Sequence, residues 1–139
     1  MLQRSAIYAF RKKILRFYRK YGRTLPWRGT LNPYHVLVSE VMLQQTQVNR
    51  VIPYYLSFTS TFPTVTELAH TPVQDVLRIW SGLGYNSRAI RLQECAGRIV
   101  TEYGGRVPED PDELQKLPGI GSYTAGAIAI SRPRTFSST

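Results

Sequence analysis

Apolar residues recur at intervals of three and four along much of the chain, which is the spacing of one face of an α-helix. The pattern predicts an amphipathic helix over residues 4–21 that ends near Gly22, and another over residues 88–103 that ends at Gly104 and Gly105. No stretch shows the sustained alternation of apolar and polar positions that is typical of a half-buried strand. The sequence therefore predicts an all-α domain.

Proline directly after a capping side chain predicts the start of three further helices. The pairs are Asn32 with Pro33, Thr71 with Pro72, and Asp110 with Pro111. Asp110 also has Glu113 three residues later, which is an aspartate variant of the capping box. A sixth helix should begin near Tyr123.

The 139 residues are enough for one domain with its own core. Short connections that contain Gly and Pro separate the predicted helices, without a linker or an internal repeat. No apolar run approaches the ~20 residues that a membrane span needs, so we expect no membrane association. We predict a folded domain over residues 1–131 and an unstructured, atypical tail over residues 132–139.

Positive charge is concentrated at the start of the chain. Nine of the eighteen Lys and Arg precede Glu40, the first acidic residue, and from there on nine basic residues balance nine acidic ones. The net charge of +9 therefore belongs to the first 39 residues, mostly to the predicted helix over residues 4–21. Such a surface suits a polyanion, and a merely solvated helix face is the alternative.

The cysteine and histidine content restricts the chemistry that is available. Cys95 is the single cysteine, which excludes disulfides and cysteine-ligated zinc or iron–sulfur sites within this chain. His35 and His70 form no metal-ligand pattern with nearby acidic residues. We expect no metal and no cofactor in this chain, and a buried thiol at Cys95. The charged N-terminus lacks the apolar core of a secretory signal, which predicts an intracellular protein.

Residues 117–126 read Leu-Pro-Gly-Ile-Gly-Ser-Tyr-Thr-Ala-Gly, a glycine hairpin that runs directly into a helix. Glycine lets a phosphate approach the main chain, where exposed N–H groups and the helix dipole attract it. The segment lacks the Gly-Lys-Ser/Thr ending of a nucleotide-binding loop, which favours a DNA phosphate over ATP. A helical corner whose glycines serve only packing is the alternative.

Glu40 lies in residues 34–43, which form a predicted helix with apolar residues on nearly all sides. A carboxylate buried there without a fixed cation has a raised pKa and can donate a proton near neutral pH. That is the property of a general acid. Pairing with an arginine such as Arg28, or with an N–H group at a helix end, is the alternative.

Two further segments carry side chains suited to contacts with DNA bases. Three polar residues follow the Glu40 helix: Gln44, Gln45 and Thr46. Amides can hydrogen-bond base edges or fill the space that a base leaves in the stack, although a plain polar helix end has the same composition. Residues 80–88 form another glycine hairpin with Tyr85 at its tip, where the ring can wedge between bases or pack on Trp80.

Four segments, in their order and spacing, together resemble adenine DNA glycosylases of the MutY type, which belong to the helix-hairpin-helix glycosylase superfamily. The segments are residues 25–28, 39–46, 82–85 and 117–126. The likeness runs from about Arg4 to Ser131. It implies a six-helix-barrel domain that binds double-stranded DNA and flips out an adenine mispaired with 8-oxoguanine or guanine. The enzyme would then hydrolyse the N-glycosidic bond of that adenine.

The resemblance also implies a role for individual residues. Glu40 would protonate adenine, and Tyr123, where bifunctional relatives carry a catalytic lysine, would join the catalytic hydrogen-bond network without a Schiff-base lyase step. The base pocket would be lined by Leu25, Trp27, Arg28, Leu43 and Val48. Contacts with DNA would come from Gln44, Gln45, Thr46, Tyr85, Leu117, Gly119, Gly121, Ser122 and Thr124. Of these, Gln45 and Tyr85 match residues inserted into the DNA stack.

The sequence departs from the family at its C-terminal end. A second catalytic aspartate, which stabilises the oxocarbenium-like sugar, would fall about two residues past Thr139, and no acidic residue follows Glu113. The cysteines of the family's 4Fe-4S cluster and its C-terminal domain are also missing. We therefore expect a truncated or frame-shifted, monomeric adenine glycosylase that lacks the C-terminal half and has lost orders of magnitude in rate.

Other functions fit parts of the same pattern. A thymine or uracil mismatch glycosylase of the same superfamily shares the Leu-Pro-Trp-Arg and Gln-Gln-Thr segments, whereas Glu40 together with Tyr123 favours adenine. A non-catalytic DNA-binding fragment and an unstable product without function are the remaining alternatives. The resemblance implies a cytoplasmic protein at the nucleoid in a bacterium, and a nuclear protein otherwise.

Overall fold

A computed structural model describes residues 25–27, 30 and 32–131 of the chain. In this part of the chain every regular element is an α-helix, which confirms the all-α prediction. The helices are α1 (Pro33–Leu43), α2 (Val48–Thr61), α3 (Val65–His70), α4 (Val73–Trp80), α5 (Ser87–Tyr103), α6 (Pro111–Gln115) and α7 (Ser122–Ser131). The predicted helix over residues 4–21 and the predicted tail over residues 132–139 lie outside the described residues.

Capping side chains begin and end several helices where the sequence predicts them. Asn32 Oδ1 accepts from the N–H of Tyr34 at 3.0 Å and begins α1, and Asp110 begins α6 through its bond from the N–H of Asp112. Gly104 ends α5 in the left-handed conformation with φ +64°. These ends follow from local chemistry, because a short polar side chain or a glycine satisfies backbone groups that the helix leaves unpaired.

Two predicted caps are wrong. Thr71 does not begin α4, because its hydroxyl donates to the Glu67 carbonyl oxygen at 2.7 Å and the residue ends α3 instead. Glu113 does not complete a capping box with Asp110. Its carboxylate oxygens accept from the Tyr103 hydroxyl at 2.6 Å and from the Lys116 ammonium at 3.0 Å.

Helices α2 and α3 are additional to those predicted from the sequence. Helix α2 buries four residues at intervals of three and four: Val48, Val51, Tyr55 and Phe58. Helix α3 is only six residues long, and Thr64 caps it through a bond from the N–H of Glu67 at 3.2 Å.

The core surrounds α1, which packs against α2, α5 and α7. Helix α5 in turn packs against α3 and α4, and α6 packs against α7. Seven residues of α1 are buried: Tyr34, Val36, Leu37, Val38, Ser39, Val41 and Met42. Burial of one such apolar side chain stabilises the fold by roughly 2 kcal/mol. Of the helices in the described ranges, none is both long and apolar enough to cross a membrane.

Candidate functional site

Glu40 lies near the C-terminal end of the central helix α1, where it is half-buried. This burial raises the pKa of its carboxyl group from 4.5 to about 7, because the apolar surroundings disfavour the charged form. No cation of the described residues lies within ion-pair distance of it, and Arg28 is outside the described ranges. The Glu40 carboxyl group therefore titrates near neutral pH, where it can act as a general acid.

Tyr123 lies in the first turn of α7, and 39% of its surface is exposed. Helix α7 packs directly against α1, which carries Glu40. The two residues predicted to be catalytic therefore lie on neighbouring helices of the core.

Four of the residues predicted to line a base pocket lie within the described ranges, and all four are apolar. Leu25 and Val48 are buried, and Trp27 and Leu43 are half-buried against the core. Trp27 packs edge-on against Tyr55 with ring centroids 5.3 Å apart. Leu43 is the last residue of α1 and Val48 the first residue of α2, so both lie close to Glu40 in the chain.

Gln44, Gln45 and Thr46 form the loop between α1 and α2. Gln44 ends α1, and its N–H donates to the Val41 carbonyl oxygen at 3.3 Å. Gln45 is exposed and has φ +62°, a left-handed conformation that disfavours residues with a Cβ atom. Both amide side chains of the loop, those of Gln44 and Gln45, are exposed, and only Gln45 has the strained backbone.

Tyr85 stands at the tip of the glycine hairpin between α4 and α5. Its side chain is 63% exposed instead of packing into the core with Trp80, and its φ is +51°. The hairpin is held from α2, because the Tyr54 hydroxyl donates to the Ser81 carbonyl oxygen at 3.0 Å and Arg50 donates to that of Gly82. Two hydrogen bonds from α2 therefore hold the hairpin that carries the exposed Tyr85 ring.

Arg88 connects this hairpin to the end of α1. Its Nη1 atom donates to the carbonyl oxygens of Val41 and Met42, both at 2.9 Å, and to that of Gln44. Its Nη2 atom donates to the Thr46 hydroxyl at 3.0 Å and to the Gly84 carbonyl oxygen at 3.2 Å. Only 8% of Arg88 is exposed, so the guanidinium is a buried cation surrounded by backbone acceptors.

This role of Arg88 was not predicted from the sequence. Arginine is rarely buried unless it is paired, and its acceptors come from two loops that are distant in the chain. The one indication that Arg88 has special partners is its position in the first turn of α5. A cation is unfavourable there because of the helix dipole.

The second hairpin joins α6 to α7. Gly119 has φ +78°, whereas Gly121 lies outside the left-handed region, so only one of the two glycines needs that conformational freedom. A Cβ atom on Gly121 would meet nothing within 4 Å, and Ser122 beside it is exposed. Leu117 and Thr124 are buried. Any contact from these two positions with DNA would therefore come from their backbone.

A groove brings several of these segments together, where α1, α5 and the second hairpin meet. It is lined by Leu37, Val41, Gln44, Arg88, Arg91, Leu92, Cys95, Pro118 and Gly119. Cys95 is buried as predicted, and burial raises the pKa of its thiol to about 12. Within the described ranges, no three His, Cys, Asp or Glu side chains lie close enough together to hold a metal ion.

Residues 38–134 match the family model of HhH-GPD superfamily base excision DNA repair proteins. The chain belongs to this superfamily. The all-α fold of this HhH-GPD protein and the hairpin before α7 agree with this assignment. The resemblance found in the sequence motifs agrees with it as well. The roles assigned to Glu40, Tyr123 and the other site residues stay predictions, although the structure places them as described.

Curated relatives of this HhH-GPD protein include adenine DNA glycosylases. The protein of Rattus norvegicus is 49% identical over 130 residues, which cover 87% of this chain and 25% of the rat protein. That of Buchnera aphidicola subsp. Baizongia pistaciae is 47% identical over 86% of this chain and 34% of its own length. The Homo sapiens protein is 47% identical over 90% of this chain and 24% of its own. The chain thus spans about a quarter to a third of the length of these relatives.

Solved structures agree with the HhH-GPD assignment. A thermostable thymine-DNA glycosylase superposes with a TM-score of 0.74 and 31% identity, over 93% of this chain and 60% of that one. A non-covalent endonuclease III–DNA complex superposes with a TM-score of 0.69 over 93% of this chain and 59% of that one, and its 23% identity shows the shared fold alone.

Proposed function

We propose that this chain carries the base-excision site of an adenine DNA glycosylase. The observation that carries the proposal is Glu40. Burial on the central helix α1, whose other residues are mostly apolar, raises the pKa of its carboxyl group to about 7. The similarity of 47–49% identity to adenine DNA glycosylases supports adenine as the base.

In the proposed reaction, Glu40 acts on an adenine that has left the DNA stack. The bond between the sugar C1′ atom and adenine breaks, and its electron pair stays with the base. The proton from Glu40 neutralises the departing base, so that a poor leaving group becomes a neutral one. Water then forms the new bond to C1′ and releases a proton. Tyr123, on the adjacent helix α7, belongs to the hydrogen-bond network of this site.

The proposed DNA contacts lie on three loops. Gln45 and Tyr85 are exposed, and the residue before each of them accepts a hydrogen bond from Arg88, which supports their insertion into the base stack. The hairpin at Gly119 and Gly121 leaves open space at the start of α7, which supports contact with a phosphate. We propose that the protein binds DNA as a monomer.

A panel of duplexes tests the base that is released. Each duplex carries adenine, thymine or uracil opposite guanine or 8-oxoguanine, and the free base is measured after a single turnover. We expect release of adenine alone, with a preference for 8-oxoguanine in the opposite strand.

Release of thymine or uracil instead would contradict the proposal and favour a mismatch glycosylase similar to the thermostable thymine-DNA glycosylase. Binding without release of any base would favour a non-catalytic DNA-binding protein. The salt dependence of binding should be steep in either case, because phosphate contacts release counterions.

A further inference from the structure

Two exposed residues of the site, Gln45 and Tyr85, share an unusual backbone conformation. They are the only residues other than glycine with positive φ in the described part of the chain, at +62° and +51°. Such strain persists only where the surrounding structure enforces it. The contacts that enforce it should therefore lie next to both residues.

Arg88 makes those contacts. It donates to the carbonyl oxygen of Gln44 and to the hydroxyl of Thr46, which are the residues before and after Gln45. It also donates to the carbonyl oxygen of Gly84, the residue before Tyr85. One guanidinium group thus holds the neighbours of both strained residues.

The aromatic contacts of Arg88 add to this arrangement. Its guanidinium carbon lies 5.4 Å from the ring centroid of the buried Trp80 and 5.6 Å from that of the exposed Tyr85. Trp80 itself donates to the Gly84 carbonyl oxygen at 3.1 Å. The Arg88 guanidinium therefore contacts the exposed Tyr85 ring and the buried Trp80 ring, and it also hydrogen-bonds the end of α1.

We infer that Arg88 is a positioning residue that couples the Gln44–Thr46 loop and the Tyr85 hairpin, so that both insert into DNA as one unit. The inference rests on the proposed function for its DNA step, whereas the coupling between the loops is a property of the protein alone. Lysine cannot replace Arg88, because one ammonium group cannot reproduce a planar fork that reaches acceptors in both loops.

Hydrogen exchange of the free protein tests the coupling. Thr46→Val removes one bond to Arg88 at nearly constant volume, and the amides of Leu83 and Ala89 report on the hairpin through their bonds to Trp80 and Asn86. We expect their exchange to become about fivefold faster, although Thr46 is not part of the hairpin.

The matched control is Thr101→Val, which removes an exposed hydroxyl from α5 and should leave the Leu83 and Ala89 amides unchanged. Unchanged exchange in Thr46→Val, or an equal increase in both variants, would overturn the coupling. This result is independent of any DNA activity.

Fluorescence of 2-aminopurine placed opposite 8-oxoguanine tests the DNA step, at protein concentrations that saturate the duplex. We expect Arg88→Lys to reduce the fluorescence increase by about fivefold, and Tyr85→Ala to reduce it similarly. In a protein that already carries Tyr85→Ala, Arg88→Lys should cause little further loss of the fluorescence increase. The surface control Arg78→Lys should match the parent protein, since Arg78 is exposed in a weak ion pair.

The outcomes distinguish the coupling of the two loops from the proposed function. Equal proportional losses from Arg88→Lys with and without Tyr85 would overturn the inference, because Arg88 would then act independently of the hairpin. No response from the parent protein, together with coupled hydrogen exchange, would contradict the proposed function while leaving the coupling of the loops intact.

Discussion

The hydroxyl oxygen of Tyr54 occupies the space that a side chain on Gly82 would need, since a Cβ atom there would lie 2.4 Å from it. Gly82 also has φ +94°, a conformation that other residues rarely adopt. The first hairpin therefore depends on a glycine at this position for two independent reasons.

Gly82→Ala should destabilise the protein by roughly 2 kcal/mol or more, because the backbone is strained and Tyr54 must give up its bond to Ser81. Urea unfolding measures the change. Gly97→Ala is the matched control, since Gly97 lies inside α5 with open space around it, and it should stabilise the protein by roughly 0.5–1 kcal/mol. A loss of stability in both variants, or in neither, would contradict this account of the hairpin.

Glu40 should make stability fall as pH rises. Its folded-state pKa of about 7 is above the ordinary value of 4.5, so the folded protein favours the protonated form. The stability from this group is fully present below pH 4.5 and is lost as pH rises through 7, by at most about 3 kcal/mol. Glu40→Gln should therefore be more stable than the parent protein at pH 8.5 and nearly equal to it at pH 4.5.

The measurement is the free energy of unfolding in urea at both pH values. Glu94→Gln, an exposed glutamate on α5, is the control and should behave like the parent protein at each pH. A Glu40→Gln variant whose advantage does not change with pH would show that Glu40 is not shielded from water.

Cys95 should be unreactive in the folded protein. Burial raises the pKa of its thiol to about 12, and only 1% of the residue is exposed, so the reactive thiolate is both scarce and inaccessible at pH 8. A chromogenic thiol reagent should label one cysteine per chain in concentrated urea and none within minutes in buffer. Rapid labelling of the native protein would contradict the burial of Cys95.

Gly121→Ala should weaken duplex binding without destabilising the fold. A methyl group there meets no protein atom within 4 Å, but it would stand where we propose that a phosphate approaches the hairpin. We expect a loss of affinity of about tenfold, or 1.4 kcal/mol, with an unchanged melting temperature. Gly97→Ala on α5 should keep the parent affinity. If Gly121→Ala bound the duplex as tightly as the parent protein does, the phosphate contact would lie elsewhere.

Much of the fold follows from local signals in the sequence. Asn32, Asp110 and Gly104 mark helix ends because capping depends on residues a few positions apart. Helix α2 has an equally regular apolar spacing, but Pro53 inside the helix interrupts the pattern as a turn would. Helix α3 is too short for its period to be read reliably.

Some features of the candidate site could likewise be predicted from neighbouring residues, whereas others depend on contacts between distant parts of the chain. The raised pKa of Glu40 could be predicted because its apolar neighbours on α1 lie next to it in the sequence. Arg88 could not, since its acceptors on α1 are 46 and 47 residues away in the chain. Nothing in the residues around Arg88 indicates that it meets the end of α1, because that contact exists only once α1 and α5 have packed together.

The most direct test of the proposed function is single-turnover release of adenine from a duplex with adenine opposite 8-oxoguanine. The parent chain and Glu40→Gln are compared from pH 6 to pH 9, at concentrations where both bind the duplex fully. The account predicts adenine release by the parent chain, with a rate that falls about tenfold per pH unit above the Glu40 pKa of about 7, and no release by Glu40→Gln. Release by Glu40→Gln at the parent rate, or no release by either protein, would contradict it.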